Sequence, residues 1–325
     1  MTKKIFITRP LPKEVLSAAG LLGDVTVREN TSAMNESEMI DSLVNYDVVL
    51  PTLGDIYSEK IFESCNKINA KLLANFGVGF NHIDVKVANE HGVKVSNTPG
   101  AVTDATADIA MALMLMCCRR TSEGERIVRA NKWEGWHPTQ MLGFHISNKI
   151  VGIVGMGNIG QAIAKRCHFG FGMQVGYFSR SAKNLSFPVK RYDSLTELAS
   201  SSDILVVSVP GGSATHHLIN KDILSSMQPH AYFVNIARGD VVNEADLIDA
   251  LKLNQIAGAG LDVYEHEPKV PEDLMAMENV VLLPHLGTAS LEVRAGMGLM
   301  AVQNIKAFIE GLSLIHISEP TRLVS

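Results

Sequence analysis

The run KIVGIVGMGNIGQAIAKRC, residues 149–167, limits this chain to a narrow set of folds. Ile150, Val151, Ile153 and Val154 predict a short apolar strand. Gly155, Gly157 and Gly160 then fall at G-x-G-x-x-G spacing where a helix opens, its apolar stripe formed by Ile159, Ala162, Ile163 and Cys167. Strand, tight turn and helix in that order suit a dinucleotide pyrophosphate. Gly155 makes the turn, Gly157 admits the phosphates to the backbone, Gly160 lets helix and strand pack closely, and the free amides of the first helical turn meet the negative charge.

The strand-and-helix pattern continues beyond that unit. A second strand is predicted over residues 173–178, and at its end, where an acidic residue would grip the adenosine ribose, stand Ser179, Arg180 and Ser181. A carboxylate there would repel a 2′-phosphate, whereas a serine and a guanidinium hydrogen-bond it, so NADP is favoured over NAD. Further strands are predicted at 204–209, 231–236, 256–263 and 280–283, separated by helical or loop segments. This alternation predicts an α/β fold with a doubly wound parallel sheet, in which ligands lie beyond the carboxyl ends of the strands. Arg238, Asp262, Glu267 and His285 occupy those ends. Singly each is ordinary; an arginine, a carboxylate and a histidine at the mouths of successive strands make a candidate reaction site.

The first hundred residues alternate short strands and helices without a phosphate fingerprint: KIFIT, VTV near residue 25, DVVL ending at Leu50, KLLANFGVGF and VKVSNTP. The turn at 75–79, NFGVG, either presents free amides to an anion or is an ordinary glycine turn. PTLGD, residues 51–55, carries the same ambiguity. Residues 101–119 predict an apolar helix with Asp104 and Asp108 near its start. Residues 121–147, which hold Trp133 and Trp136, read as a loop whose tryptophans mark a contact surface or pack on their own domain. Residues 290–311 predict a second long helix, with Val293, Met297, Ala301, Ile305 and Phe308 on one face, returning to the first domain.

Composition bounds the partners. With 325 residues, 46% hydrophobic and 19% charged, the chain is expected to form two domains. A net charge of -5 gives no broad basic surface, so neither nucleic acid nor an anionic membrane has electrostatic support as a partner. Cys65, Cys117, Cys118 and Cys167 form no C-x-x-C pair, and MTKKIFITRP has too short an apolar run for a signal peptide, so a cytoplasmic protein is expected. The longest apolar run, residues 109–118, is too short to span a bilayer. Residues 312–322 resemble the in-frame translation of a transposase adapter, and the tail 312–325 is expected to carry no function, the natural protein continuing past Gly311 differently.

With the glycine fingerprint, ARG at 237–239, GLDVYEHEP at 260–268 and LLPHLGTAS at 282–290 in one order, nearly all of residues 1–311 resemble the D-2-hydroxyacid dehydrogenases. ANFGVGFNHID and NTPGAVTDATADIAMALML look most like the glyoxylate/hydroxypyruvate reductases of that family. The resemblance implies a Rossmann nucleotide domain over 99–288. It also implies a flavodoxin-like α/β substrate domain from 1–98, completed by the helix of 289–311. It implies Arg238, Glu267 and His285 as catalytic residues. The Val78 and Gly79 amides would hold the substrate carboxylate, with Leu53 and Gly54 beside the substrate. Cofactor contacts would fall on Gly155, Gly157, Asn158, Ile159 and Gly160 at the pyrophosphate, and Ser179 and Arg180 at the ribose. Val209, Pro210, Ile236, Ala237, Asp262 and Thr106 would line the rest of the cofactor site.

The implied chemistry is reduction of a small 2-oxo acid to the D-2-hydroxy acid with NADPH, NAD also being usable, and no metal. His285 would supply the proton, Glu267 would orient it and favour its charged form, and Arg238 would bind the carboxylate and polarise the carbonyl. The loops at 52–54 and 78–79 are expected to have no nearby arginine or lysine to greet a second phosphate or carboxylate, and no regulatory domain is expected after the last helix. Both points favour glyoxylate or hydroxypyruvate over 3-phosphohydroxypyruvate. A homodimer is implied, with the helix from residue 101 and the tryptophan loop as contacts. Two other readings stay open: an NAD-linked dehydrogenase of another acid (D-lactate, 2-ketogluconate or 3-phosphoglycerate type), and a dinucleotide-sensing scaffold like the C-terminal-binding corepressors.

Overall fold

Short runs of valine, isoleucine and leucine, bounded by glycine, asparagine or aspartate, set the strands of this chain. The computed structural model describes residues 2–100, 102–312 and 314. Ala101, at the start of the expected apolar helix, and most of the expected adapter-derived tail lie outside the described residues. The chain divides into two compact units, Met1–Val102 with the segment from Ser290, and Thr103–Ala289.

The first unit carries β1 (Lys4–Ile7), β2 (Asp24–Val27), β3 (Val48–Leu50), β4 (Leu72–Ala74) and β5 (Lys94–Ser96). They form one parallel sheet in the order β2-β1-β3-β4-β5, the flavodoxin-like arrangement. Its core includes Leu43, Val49, Tyr57, Phe62 and Leu73. The helix Leu291–Ile309 belongs to this unit, and it buries Met297, Ala301 and Ile305 while Val293 and Phe308 are half-buried. Gly298 lets it approach the first helix closely, because a Cβ there would lie 2.5 Å from a Val15 methyl.

The second unit carries β6 (Ile150–Val154), β7 (Gln174–Phe178), β8 (Lys190–Arg191), β9 (Ile204–Val207), β10 (Tyr232–Asn235), β11 (Gly258–Leu261) and β12 (Val280–Leu282). Their order is β12-β11-β10-β9-β6-β7-β8, all parallel, so the winding reverses between β6 and β9. That reversal opens a crevice at the carboxyl ends of the strands, the usual ligand position in such sheets. Apolar cores cover both faces. The helix Thr103–Cys118 is apolar almost all round and buried accordingly. It rests on β11 because Gly260 has no side chain, a Cβ there lying 2.9 Å from Cys117 Sγ.

Two expectations change. The strands are shorter than predicted, β9 ending at Val207 because Ser208 turns out of the sheet and donates through Oγ to the carbonyl of Gly155, at 2.8 Å. The expected loop of 121–147 begins instead with a helix, Thr121–Arg129. Only Ile127 and Val128 of its nine residues are apolar and none is buried, so it offers little of the apolar stripe by which helices are read. It is held by Arg120–Glu123 and Arg129–Glu125 ion pairs across one turn. Trp133 and Trp136 come after it, 57% and 79% exposed. Among the described residues no helix is long and apolar enough to cross a membrane.

Candidate active site

Three glycines shape the turn after β6, each differently. Gly155 sits at φ +97°, where side chains are rarely tolerated, and a Cβ there would lie 2.8 Å from Val209 Cγ1. A Cβ on Gly160 would lie 2.1 Å from the carbonyl oxygen of Gly155. Gly157 meets nothing within 4 Å, so the protein's own packing does not require it to be glycine. It caps the helix Asn158–Phe171 and has no side chain to occupy the first-turn amides. Open space over an uncapped helix start, at the reversal of the sheet, fits a dinucleotide pyrophosphate. Asn158 is exposed and Ile159 half-buried at that opening, and Val209 and Pro210 continue from the end of β9 beside it.

At the end of β7, Ser179 donates through Oγ to the carbonyl of Ser181 at 2.6 Å, and Arg180 is exposed. Sequence reasoning missed Arg191. It lies on β8, paired with Tyr177 of β7, and its Nη2 donates to the Ser179 carbonyl at 3.3 Å. Only the strand pairing, invisible in so short an element, brings it there.

The other end of the crevice is built on β10, β11 and β12. Ile236 and Ala237 are buried after β10, and Asn235 shapes their turn. Its side chain accepts from the Ala237 amide at 3.0 Å and donates to the Arg238 carbonyl at 2.9 Å. The Arg238 guanidinium donates to the Ala237 carbonyl at 2.7 Å. Burial pulls its pKa down, while the charges of Glu267 and Asp240 push it back up. Gly239 presses directly on the Tyr264–Glu265 peptide, a Cβ there falling 1.8 Å from the Tyr264 carbonyl carbon. The loop of Arg238 and the loop of Glu267 are therefore in backbone contact.

Glu267 and His285 meet side chain to side chain. His285 Nδ1 lies 2.8 Å from Glu267 Oε2, and Glu267 Oε1 accepts from the Tyr264 amide at 3.1 Å. Burial pushes the Glu267 carboxyl up, but the hydrogen bond and charge of His285, the Tyr264 amide and Arg238 outweigh it and hold the group below the usual carboxylate range. Because a carboxylate only accepts, Nδ1 carries the proton in this contact, and Nε2 is the nitrogen left for a substrate.

His285 has a left-handed backbone, φ +54°, a costly conformation for a residue with a Cβ. Asp262 imposes it. The Asp262 carbonyl accepts from the His285 amide at 2.9 Å, Oδ1 accepts from the Leu286 amide at 2.6 Å, and Oδ2 from the Gly287 amide at 2.8 Å. Asp262 is 1% exposed; burial raises its pKa, against the Leu286 amide, the charge of His285 and the Gly287 amide. Thr106, also buried, donates to the Gly287 carbonyl at 3.0 Å and ties the same loop to the long helix.

In the first unit the turn at 75–79 is fixed by the buried Asn75 and the half-buried Asn97. Asn75 donates to the carbonyls of Gly77 and Gly79, at 3.2 and 3.0 Å, and Asn97 donates to that of Val78 at 2.9 Å. With those carbonyls held, the amides of Val78 and Gly79 have no hydrogen-bond partner among the described residues. Free paired amides are what an anion needs. Leu53 and Gly54 are exposed, and Gly54 sits at φ +99°.

The expectation that no arginine lies near this loop is overturned. Arg9, after β1, donates to Asp55 Oδ2 at 2.7 Å and to Thr52, and its Nη2 would lie 3.4 Å from a Cβ on Gly54. It is 43 positions from Thr52 in sequence, and parallel pairing of β1 with β3 joins them. Its charge is matched by the fully buried Asp55, so the loop gains rigidity and no surplus positive charge.

Comparison with known proteins covers most of the chain. Residues 111–287 match the family model described as the D-isomer specific 2-hydroxyacid dehydrogenase, NAD binding domain. A glyoxylate reductase of Pyrococcus furiosus is 38% identical over 317 residues, 96% of this chain and 94% of that protein. A glycerate dehydrogenase of Hyphomicrobium methylovorum is 35% identical, over 97% of this chain and 98% of its own. The crystal structure of an NADPH-dependent glyoxylate/hydroxypyruvate reductase from Sinorhizobium meliloti, in complex with NADP and malonate, superimposes with a TM-score of 0.86. It is 30% identical, and the match covers 98% of this chain and 97% of that one.

Proposed function

Because this chain belongs to the D-isomer specific 2-hydroxyacid dehydrogenase family, and so is an oxidoreductase using a nicotinamide dinucleotide, we propose that it reduces glyoxylate or hydroxypyruvate with NADPH as the preferred cofactor. The observation that carries this reading is the 2.8 Å contact of His285 Nδ1 with Glu267, beside Arg238, on the sheet that bears the glycine turn. A reduced nicotinamide, when bound, would supply hydride to the substrate's carbonyl carbon. Negative charge then builds on the carbonyl oxygen, and His285 delivers a proton from Nε2 while Glu267 stabilises the charged ring through Nδ1. The Arg238 guanidinium offers a planar pair of donors to the substrate carboxylate and the carbonyl oxygen. We assign the free Val78 and Gly79 amides to the carboxylate, and Leu53 and Gly54 to the substrate's remaining surface.

The preference for NADPH rests on Ser179, Arg180 and Arg191, three groups able to meet a 2′-phosphate, with no carboxylate among them. The small substrate is supported by the Arg9–Asp55 pair, in which a buried carboxylate already matches the charge of the arginine beside this loop. In this reading the unit Thr103–Ala289 holds the nucleotide and the other unit the acid. The exposed Trp133, Trp136 and Leu142 support a homodimer contact. The test is initial rates over a panel of 2-oxo acids with NADPH and with NADH. The reading expects glyoxylate and hydroxypyruvate to lead, with NADPH the better donor. Faster turnover of a larger acid with NADH would give the NAD-linked dehydrogenase instead, and binding without turnover the dinucleotide sensor.

A further inference from the structure

Two adjacent histidines lie outside the machinery described so far. The segment after β9 carries His216, exposed, and His217, half-buried, with ring centroids 3.9 Å apart and planes 28° apart. His217 has a left-handed backbone, φ +49°, and its amide donates to the Asp240 carbonyl at 2.8 Å. Its Nε2 lies 2.7 Å from Oε1 of Glu265. The other Glu265 oxygen accepts from the Glu244 amide at 3.4 Å, and the Glu265 amide donates to the Glu244 carboxylate at 3.3 Å.

We propose that His216, His217 and Glu265 form a binding site for a borderline divalent transition ion such as Zn²⁺, separate from the catalytic residues. One ligating atom from each of the three lies within 4.8 Å of the other two. Two imidazoles and a carboxylate suit Zn²⁺, Ni²⁺ or Cu²⁺, and they do not suit Mg²⁺ or Ca²⁺, which take oxygen ligands.

The geometry needs little adjustment. With metal–ligand lengths of about 2.0–2.2 Å, tetrahedral ligand atoms stand roughly 3.4 Å apart, so the His217–Glu265 contact of 2.7 Å opens by about 0.7 Å and the exposed His216 ring swings in. Glu265 is already supported from behind, its second oxygen held by the Glu244 amide as the carboxylates of metal sites are. Three protein ligands leave a fourth position for water.

A lone His217–Glu265 hydrogen bond explains two of the three groups and leaves the stacked His216 without a role. Occupancy would also matter to the neighbouring reaction site. Glu265 precedes Glu267, the partner of His285, by two positions, and its amide lies 2.3 Å from where a Cβ on Gly239 would be, next to Arg238. An ion here would brace the junction of both loops.

The experiment uses untagged, chelator-washed protein with ZnCl₂ or MgCl₂, reading bound zinc by equilibrium dialysis and the melting temperature alongside. One zinc per chain is expected, with a melting temperature that rises with zinc and not with magnesium. His216→Ala, a surface change that leaves the fold intact, should weaken zinc binding by about tenfold or more, and His217→Gln likewise. His137→Ala, at an exposed histidine elsewhere, should change nothing. No zinc bound by the wild-type protein, or equal zinc bound by His216→Ala and wild type, overturns the site.

Discussion

A methyl group on Gly160 would lie 2.1 Å from the carbonyl oxygen of Gly155, whereas one on Gly157 would touch nothing within 4 Å. The first glycine is demanded by the fold, and the second leaves room for something the fold does not contain. Gly160→Ala should therefore destabilise the protein by about 2–3 kcal/mol and abolish dinucleotide binding. Gly157→Ala should unfold in urea at the wild-type midpoint yet bind cofactor weakly. Equal stability losses in the two variants would show that neither glycine is reserved for a ligand.

Asp262 holds two consecutive amides of the histidine loop with its two oxygens. Asparagine keeps the shape but turns one acceptor into a donor facing an N–H. Asp262→Asn is expected to cost about 1–3 kcal/mol in urea unfolding and to lower kcat, because the left-handed turn at His285 loses its restraint. Unchanged kcat in a folded variant would mean that His285 keeps its place without the clamp.

Glu267 supplies a pH test with a definite sign. Its carboxyl lies below the usual range in the folded protein, so the folded state binds that proton more weakly than the unfolded chain does. The carboxylate then stabilises the fold above the ordinary carboxylate range and loses that contribution as pH falls through the lowered value. The unfolding free energy of wild type relative to Glu267→Gln should be greatest near pH 6 and narrow towards about pH 3.5. A gap that stays constant or widens on acidification would contradict the pairing.

Arg180 and Arg191 should set the choice of dinucleotide. Replacing either with alanine is expected to raise KM for NADPH by about tenfold or more, the worth of one hydrogen bond to a charged group, and to leave KM for NADH unchanged. Equal effects on both cofactors would place these arginines away from the 2′-phosphate.

Much of this was legible in the sequence, because the signals are local. The glycine spacing, the alternation of short apolar runs with helices, and the placing of Arg238, Glu267 and His285 just past strand ends are all read within a few residues. The missed features depend on pairing over distance. Arg191 reaches Ser179 through a two-residue strand, and Arg9 reaches Thr52 through β1 beside β3. Asp262 was legible as a residue at a strand end, but its clamp on Leu286 and Gly287 spans two strands. The helix Thr121–Arg129 escaped because charge pairs hold it and it buries nothing.

The central claim is that His285, held by Glu267, delivers the proton and does not hold the cofactor. His285→Gln tests it most directly when kcat for glyoxylate reduction and the Kd for NADPH are measured on the same preparation. The account predicts a fall in kcat of about 10²–10⁴-fold with Kd nearly unchanged. A parallel loss of cofactor affinity, or turnover close to wild type, would contradict it.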